Sequence, residues 1–390
     1  MNRPVEFFRH TLGAPEVASV GETLASIFLT LGPRTAEFER RLAARLQVEH
    51  VVGLTSCSAG LVLALRVAGI GPGDEVVTTP MTFVATPNAA LHVGATPVFA
   101  DIDSRTGLLD PERVEAAITP RTRALMAVSL YGQLPDFHRL RDIADRHGLL
   151  LVHDAAHALE ATRDGMRSAD LADLTAYSFY ATKNITCGDG GALAVHDAAL
   201  AEQLRRLRNH GITKDAATRY GQRYRHWDMV ELGYKAAMTD IEAALLLPQL
   251  DRIDVQRERR QALVERYERE LASLPDVELV ERAGTSAHHL FAALVPSELR
   301  DGVLAGLGDR KVGCAVNYRS IHTLTYYRER FGFAPSDFPR AAQFGERTLS
   351  LPLWPDLPPD DVSVVVDALG EALEEARRQG VRAGAPLEDP

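Results

Sequence analysis

Short apolar runs alternate with amphipathic stretches between residues 50 and 200. Val51–Leu54, Glu75–Thr78, Pro97–Ala100, Ala124–Val128 and Leu149–His153 read as buried strands. Helical spacing runs from Ala59 to Val67, Phe83 to Val93, Pro111 to Ile118 and Asp136 to His147. Such alternation predicts an α/β fold, with a mostly parallel sheet and helices on both faces. Gly69–Asp74 supplies a helix stop and a turn before the next strand. Two further strands, Leu174–Phe179 and Ala192–His196, bracket Lys183. A long helical segment, Thr239–Leu271, then leaves this unit, and Pro248 is expected to kink or divide it. Beyond it, strands at His289–Val295 and Val312–Asn317 mix with helices near Glu298–Leu307 and Pro359–Arg378. The expected division is a large domain over residues 1–250, N-terminal segment included, and a smaller C-terminal α+β domain over residues 251–390. Arg382–Pro390 is Gly/Pro/Asp-rich and reads as a loose tail.

Composition narrows the function class. A content of 46% hydrophobic and 25% charged residues is that of a globular chain and excludes a disordered one. The formal net charge of −10 counts against nucleic acid as the main partner, because phosphate neutralisation needs a basic surface. Arg205–Arg208 and Arg257–Arg260 are basic clusters within acid-interleaved helical segments, and read as solvated helix faces. Cys57, Cys187 and Cys314 stand singly, with neither a disulfide framework nor metal-ligand spacing. No signal-peptide pattern opens the chain, and no apolar run is long enough to cross a bilayer. A cytoplasmic protein without metal, membrane or nucleic acid is expected.

Candidate chemistry collects where a parallel sheet gathers its functional groups, at the carboxyl ends of strands. Lys183 follows such a strand and precedes the turn Cys187-Gly188-Asp189-Gly190-Gly191. It is either a surface charge or, if desolvated, a nucleophilic amine suited to Schiff-base chemistry. The first strand runs through Ser56-Cys57-Ser58 directly into a helix, so Cys57 and Ser58 are phosphate contacts unless the serine is a plain helix cap. Asp154 ends another strand, as a helix cap or as the partner of a pyridinium N–H. Phe83 is a core aromatic or a ring that stacks on a planar ligand. Ser178, five residues before Lys183, places a hydroxyl near the same anion. Taken together, a phosphate contact, a pyridine partner and a carbonyl-seeking amine specify pyridoxal 5′-phosphate (PLP). No G-x-G-x-x-G follows the first strand, which removes the nicotinamide reading.

With these residues in hand, the chain resembles the DegT/StrS family of PLP-dependent sugar aminotransferases. The matches are collinear over nearly the whole chain. They include Leu29–Arg34, Gly71–Val76, Thr82–Thr86, Tyr131-Gly132-Gln133, His153–His157, Ser178–Asn184, Arg208–Gly211, Asn317–His322 and Leu349–Pro352. The resemblance implies a fold-type I (aspartate aminotransferase-like) homodimer with active sites at the subunit interface. It implies that Lys183 forms the Schiff base and shuttles the proton, Asp154 pairs with the pyridine nitrogen, and Phe83 stacks on the ring. His157 falls beside the cofactor where the family often has glutamine. Ser178 and the Cys57–Ser58 backbone fall at the phosphate, and Thr30, Tyr318 and His322 border the sugar. Two departures stand out. Cys57 replaces the glycine of the usual S-G-T and sets a side chain against the phosphate turn. Gly233-Tyr234-Lys235-Ala236-Ala237 lacks the asparagine that in the family reaches the neighbouring subunit's cofactor, so Lys235 is the candidate cation there.

The expected reaction is ping-pong amino transfer from an amino acid, glutamate first, to a nucleotide-linked 4-keto hexose, with pyridoxamine 5′-phosphate as the intermediate cofactor form. A 3-keto sugar or a keto-cyclitol is the alternative acceptor. A PLP-binding regulatory protein of weak activity is the alternative class. Trp227 and Tyr224 are candidates to stack on a base.

Overall fold

The computed structural model describes residues 3–213 and 226–379, so Tyr224 and the tail Arg382–Pro390 lie outside the described residues. Helices α1 (Ala14–Leu24) and α2 (Pro33–Leu46) precede the sheet. Its strands are β1 (His50–Leu54), β2 (Glu75–Thr78), β3 (Thr96–Phe99), β4 (Thr122–Val128) and β5 (Leu150–Asp154). After a small hairpin of β6 (Thr162–Arg163) and β7 (Met166–Arg167) come β8 (Leu174–Ser178) and β9 (Gly191–Val195). The order is β1-β9-β8-β5-β4-β2-β3, with β9 alone antiparallel to its neighbours. This is the expected mostly parallel α/β sheet.

Alternate residues of each strand feed separate cores. Val76, Ala124, Met126 and Val152 pack with α3 (Cys57–Val67) and α4 (Ala85–His92), while Val77, Leu125, Ala127 and Leu151 pack with α5 (Pro111–Ala117) and α6 (Phe137–His147). Burial on both faces is why these strands read as continuous apolar runs. Each fully buried Val or Leu contributes roughly 1.5–3 kcal/mol relative to exposure. Side-chain caps start the crossover helices: Ser56 accepts from the Ala59 N–H and Asp136 from the Arg139 N–H. Gly148, with φ 62°, ends α6 in the left-handed region. All six parallel strands therefore point their carboxyl ends at one edge. Antiparallel β9 begins at that same edge, and a Cβ on Gly191 would overlap the Ser56 and Cys57 backbone. Gly191, the last glycine of the turn, is thus what allows β9 to lie under the start of α3.

Past α7 (Ala198–Leu207), the long helical segment is two helices, α8 (Asp240–Leu250) and α9 (Ile253–Leu271). Pro248 does not divide it: the proline sits in the last turn of α8, and the break falls where Arg252 leaves helical geometry (φ −118°, ψ 5°). A second, antiparallel sheet has the order β10 (Glu278–Leu279), β11 (Phe291–Leu294), β12 (Thr348–Leu351). It packs with α9, α10 (Ser297–Asp309) and, past α11 (Thr325–Phe331) and α12 (Pro339–Arg347), α13 (Pro359–Gln379) around Tyr267, Phe291, Val303, Leu349 and Leu369. Val5, from the N-terminal segment, is buried in this same core and pairs with Val312. The strand expected at Val312–Asn317 is absent. Val312 bridges Val5 and Ala315 bridges Ser350, so the segment crosses between two neighbours and ladders with neither. Among the described residues, no helix is long and apolar enough to cross a membrane.

Candidate active site

The carboxyl edge of the parallel sheet and the segment Asn317–Tyr318 enclose a cavity of about 530 Å³. Cys57 and Ser58 line it from the first turn of α3. N–H groups in that turn have no carbonyl partner within the helix, and the helix dipole adds to their pull on an anion. Ser178 lines the cavity from the end of β8. The structure therefore brings the three expected phosphate contacts together.

Asp154 enters from the end of β5 and is buried. Its Oδ2 accepts from Thr86 Oγ1 at 2.7 Å, and its Oδ1 accepts from the Ala156 N–H at 3.1 Å. Burial raises the carboxyl above its ordinary pKa, against the pull of these donors. The expectation that Cys57 presses on the phosphate turn is corrected. Its Sγ lies 3.7 Å from Asp154 Oδ1, so the side chain is turned onto the carboxylate. Burial, and then the Asp154 charge, keep Cys57 a thiol.

Lys183 reaches the same cavity, and burial lowers its ammonium to a pKa of about 8 from an ordinary 10.5. Near neutral pH that multiplies the neutral amine about 300-fold. Phe83 stands at the cavity 56% exposed, its ring centroid 5.8 Å from that of Tyr318. An exposed aromatic face beside a buried acid and a half-buried amine suits a planar, charged ligand. His157 Nδ1 accepts from the Tyr131 N–H at 3.3 Å, leaving Nε2–H to donate to Tyr318 Oη at 3.3 Å. Burial, and then Lys183, hold His157 neutral.

A model of the DegT/DnrJ/EryC1/StrS aminotransferase family matches residues 10–370. The chain belongs to this family. Spore coat polysaccharide biosynthesis protein SpsC of Bacillus subtilis (strain 168) is 41% identical over 373 residues, 94% of this chain and 96% of that protein. Spr1654 of Streptococcus pneumoniae, solved in its PLP form, matches with a TM-score of 0.89 at 31% identity, covering 96% of this chain and all of that one. DesI, solved in the presence of its TDP-sugar product, matches with a TM-score of 0.87 at 33% identity, covering 97% of this chain and 95% of that one. As a DegT/DnrJ/EryC1/StrS family member the protein is a PLP-dependent sugar aminotransferase, with the fold and cofactor expected from its sequence.

Three residues tied to this family's site lie elsewhere in the single chain. Thr30 bridges Thr239, and Lys235 bridges Asn209 outside the cavity. His322 is buried, with its Nδ1 on Ser320 Oγ at 2.9 Å and its ring edge-on to Phe338, and it does not line the cavity. Trp227 is exposed and away from the cavity lining. Two contacts were not anticipated. Thr86, part of the Thr82–Thr86 match, donates to Asp154. His289, which the sequence marks only as the start of a strand, lies 3.4 Å from Lys183 Nζ.

Proposed function

We propose that the enzyme transfers an amino group from glutamate to a nucleotide-linked 4-keto hexose by a ping-pong route. The convergence of Lys183, Asp154 and the α3 N-terminus on one cavity carries the reading. The TDP-sugar product named for DesI supports a nucleotide-linked acceptor. PLP fits these residues: a desolvated carboxylate is hydrogen-bonded only by the neutral donors Thr86, Ala156 and Cys57, an anion cradle stands at a helix start, and an exposed ring stands beside them. When bound, PLP supplies an aldehyde carbon for amines and a protonated ring that withdraws electrons from the carbon losing its proton.

The chain's own residues do the rest. Backbone N–H groups of Cys57 and Ser58, with the Ser178 hydroxyl, hold the phosphate. Asp154, oriented by Thr86 and Ala156, keeps the ring nitrogen protonated. Phe83 would stack on the ring, and His157 would lie beside it. Lys183 Nζ takes the α-proton of the amino acid and later returns a proton to the sugar carbon; its pKa of about 8 suits both directions. Tyr318, which lines the cavity, borders the sugar. Lys235 and Thr30 act from a second copy in a homodimer. The exposed apolar residues Leu24, Ile27, Leu29, Met229 and Leu232 supply surface for that contact. Cys57, Cys187 and Cys314 are free thiols, which suits the cytoplasm. Residues 1–250 form the large domain and residues 251–390 the small one, with Val5 of the N-terminal segment packed into the small domain's core.

A half-reaction screen tests the proposal. The holoenzyme should change cofactor absorbance with glutamate and recover it only with the matching keto-sugar, 3-keto sugars and keto-cyclitols being the comparison set. Interconversion at the wild-type rate in Lys183→Ala would refute the role of Lys183. Bound cofactor with no half-reaction for any donor would favour a regulatory protein.

A further inference from the structure

Lys183 Nζ and His289 Nε2 are 3.4 Å apart, at the long end of hydrogen-bond reach. A buried chain of polar groups sets the direction of that contact. Arg260 Nη2 donates to Glu160 Oε1 at 2.7 Å, and both side chains are almost wholly buried. Asn184 Nδ2 donates to Glu160 Oε1 and Oε2 at 3.2 and 3.1 Å and to the Ala287 carbonyl at 2.9 Å. With its amide nitrogen so engaged, Asn184 presents Oδ1 to His289 Nδ1 at 3.3 Å. A carbonyl oxygen only accepts, so Nδ1 carries the proton of the neutral ring and Nε2 keeps a lone pair. A second proton is opposed by burial, then by Lys183, His157 and Arg260. His157, whose ring centroid is 4.3 Å away, cannot substitute: its only acceptor nitrogen is taken by the Tyr131 N–H. Asp154 and Cys57 are the other titratable groups that act on Lys183.

We propose that His289 is the positioning residue for Lys183: its Nε2 accepts an N–H from the free amine and steadies the ammonium formed when Nζ takes the α-proton. This rests on the reading of Lys183 as the proton-transferring group. The proton moves from substrate carbon to Nζ and back, and His289 neither gives nor takes one. Losing an acceptor of a charge-assisted hydrogen bond lowers the Lys183 titration midpoint by about one pH unit.

The chain has four lysines, Lys183, Lys214, Lys235 and Lys311, so acetylation of each can be followed by peptide mass spectrometry. In the cofactor-free protein, His289→Leu should lower the Lys183 acetylation midpoint by about one unit while leaving Lys311 unmoved, and His289→Gln, which keeps an acceptor, should restore most of it. In the holoenzyme, His289→Leu should slow the glutamate half-reaction roughly tenfold at saturation with little change in KM, and shift its pH profile as the midpoint shifts. A folded His289→Leu with the wild-type midpoint overturns the proposal. Should that variant not fold, ¹⁵N-histidine spectra of the wild-type protein decide: an Nδ1–H tautomer at His289 supports the proposal and an Nε2–H tautomer overturns it. Failure of the Lys183 reading is separately visible as an undiminished half-reaction in Lys183→Ala.

Discussion

Replacing Lys183 with methionine should stabilise the cofactor-free protein while abolishing amino transfer. In the unfolded chain this amine titrates near its ordinary 10.5, whereas in the folded chain burial brings it to about 8. Wherever the unfolded state holds more protons than the folded state, stability rises with pH. The folded wild type therefore carries its full penalty below pH 8, and sheds it as pH rises from about 8 to about 10.5. The difference of 2.5 pH units (10.5 minus 8) corresponds to about 3 kcal/mol at pH 7. That figure is an upper value, because Lys183 keeps partial contact with solvent. Methionine fills similar space without a charge. Urea denaturation of cofactor-free wild type and Lys183→Met should show the variant ahead by up to about 3 kcal/mol near pH 7 and by only about 1.5 kcal/mol near pH 9.5. A gap that is absent, or that does not narrow with pH, would show that the folded protein does not hold this amine desolvated. Adding PLP should reverse the order, since the wild type, which can also link to the aldehyde through Lys183, binds it more tightly and is stabilised further by mass action.

Three other predictions probe the supports of the site. Arg260→Met leaves the Glu160 carboxylate buried and should cost about 3–5 kcal/mol in denaturation midpoints, partly recovered by adding Glu160→Gln; a loss no larger than that of a surface substitution would contradict it. Thr86→Val removes a donor from Asp154 Oδ2 and should weaken PLP binding roughly tenfold in an absorbance titration; unchanged affinity would show that Asp154 needs no such support. Gly191→Ala forces a Cβ into the Ser56–Cys57 backbone and should lower thermal stability, by about 1–3 kcal/mol, together with PLP affinity. A loss of stability without loss of affinity would separate the α3 start from phosphate binding.

These perturbations divide into groups legible in the sequence and groups that were not, and the division has a physical cause. Strands buried on both faces must be largely apolar, so β1, β2, β4, β5 and β8 announce themselves, and the carboxyl ends of β1, β5 and β8 locate Ser58, Asp154 and Lys183 from the sequence alone. Crossing segments carry the same apolar content without the same pairing, which is why Val312–Asn317 looked like a strand. His322 shows the limit of adjacency: it lies four residues from Tyr318, yet the chain turns it onto Ser320 and Phe338. His289 shows the converse limit. It stands 106 residues from Lys183, and its tautomer depends on Asn184, which depends on Glu160 and Arg260, each from a different element. A buried polar group needs a partner but imposes no periodicity on the chain, so nothing in the spacing of these four residues reveals that they meet. Groups that touch a ligand can thus be found at strand ends, whereas groups that tune them through space become visible only when every buried donor and acceptor has been matched.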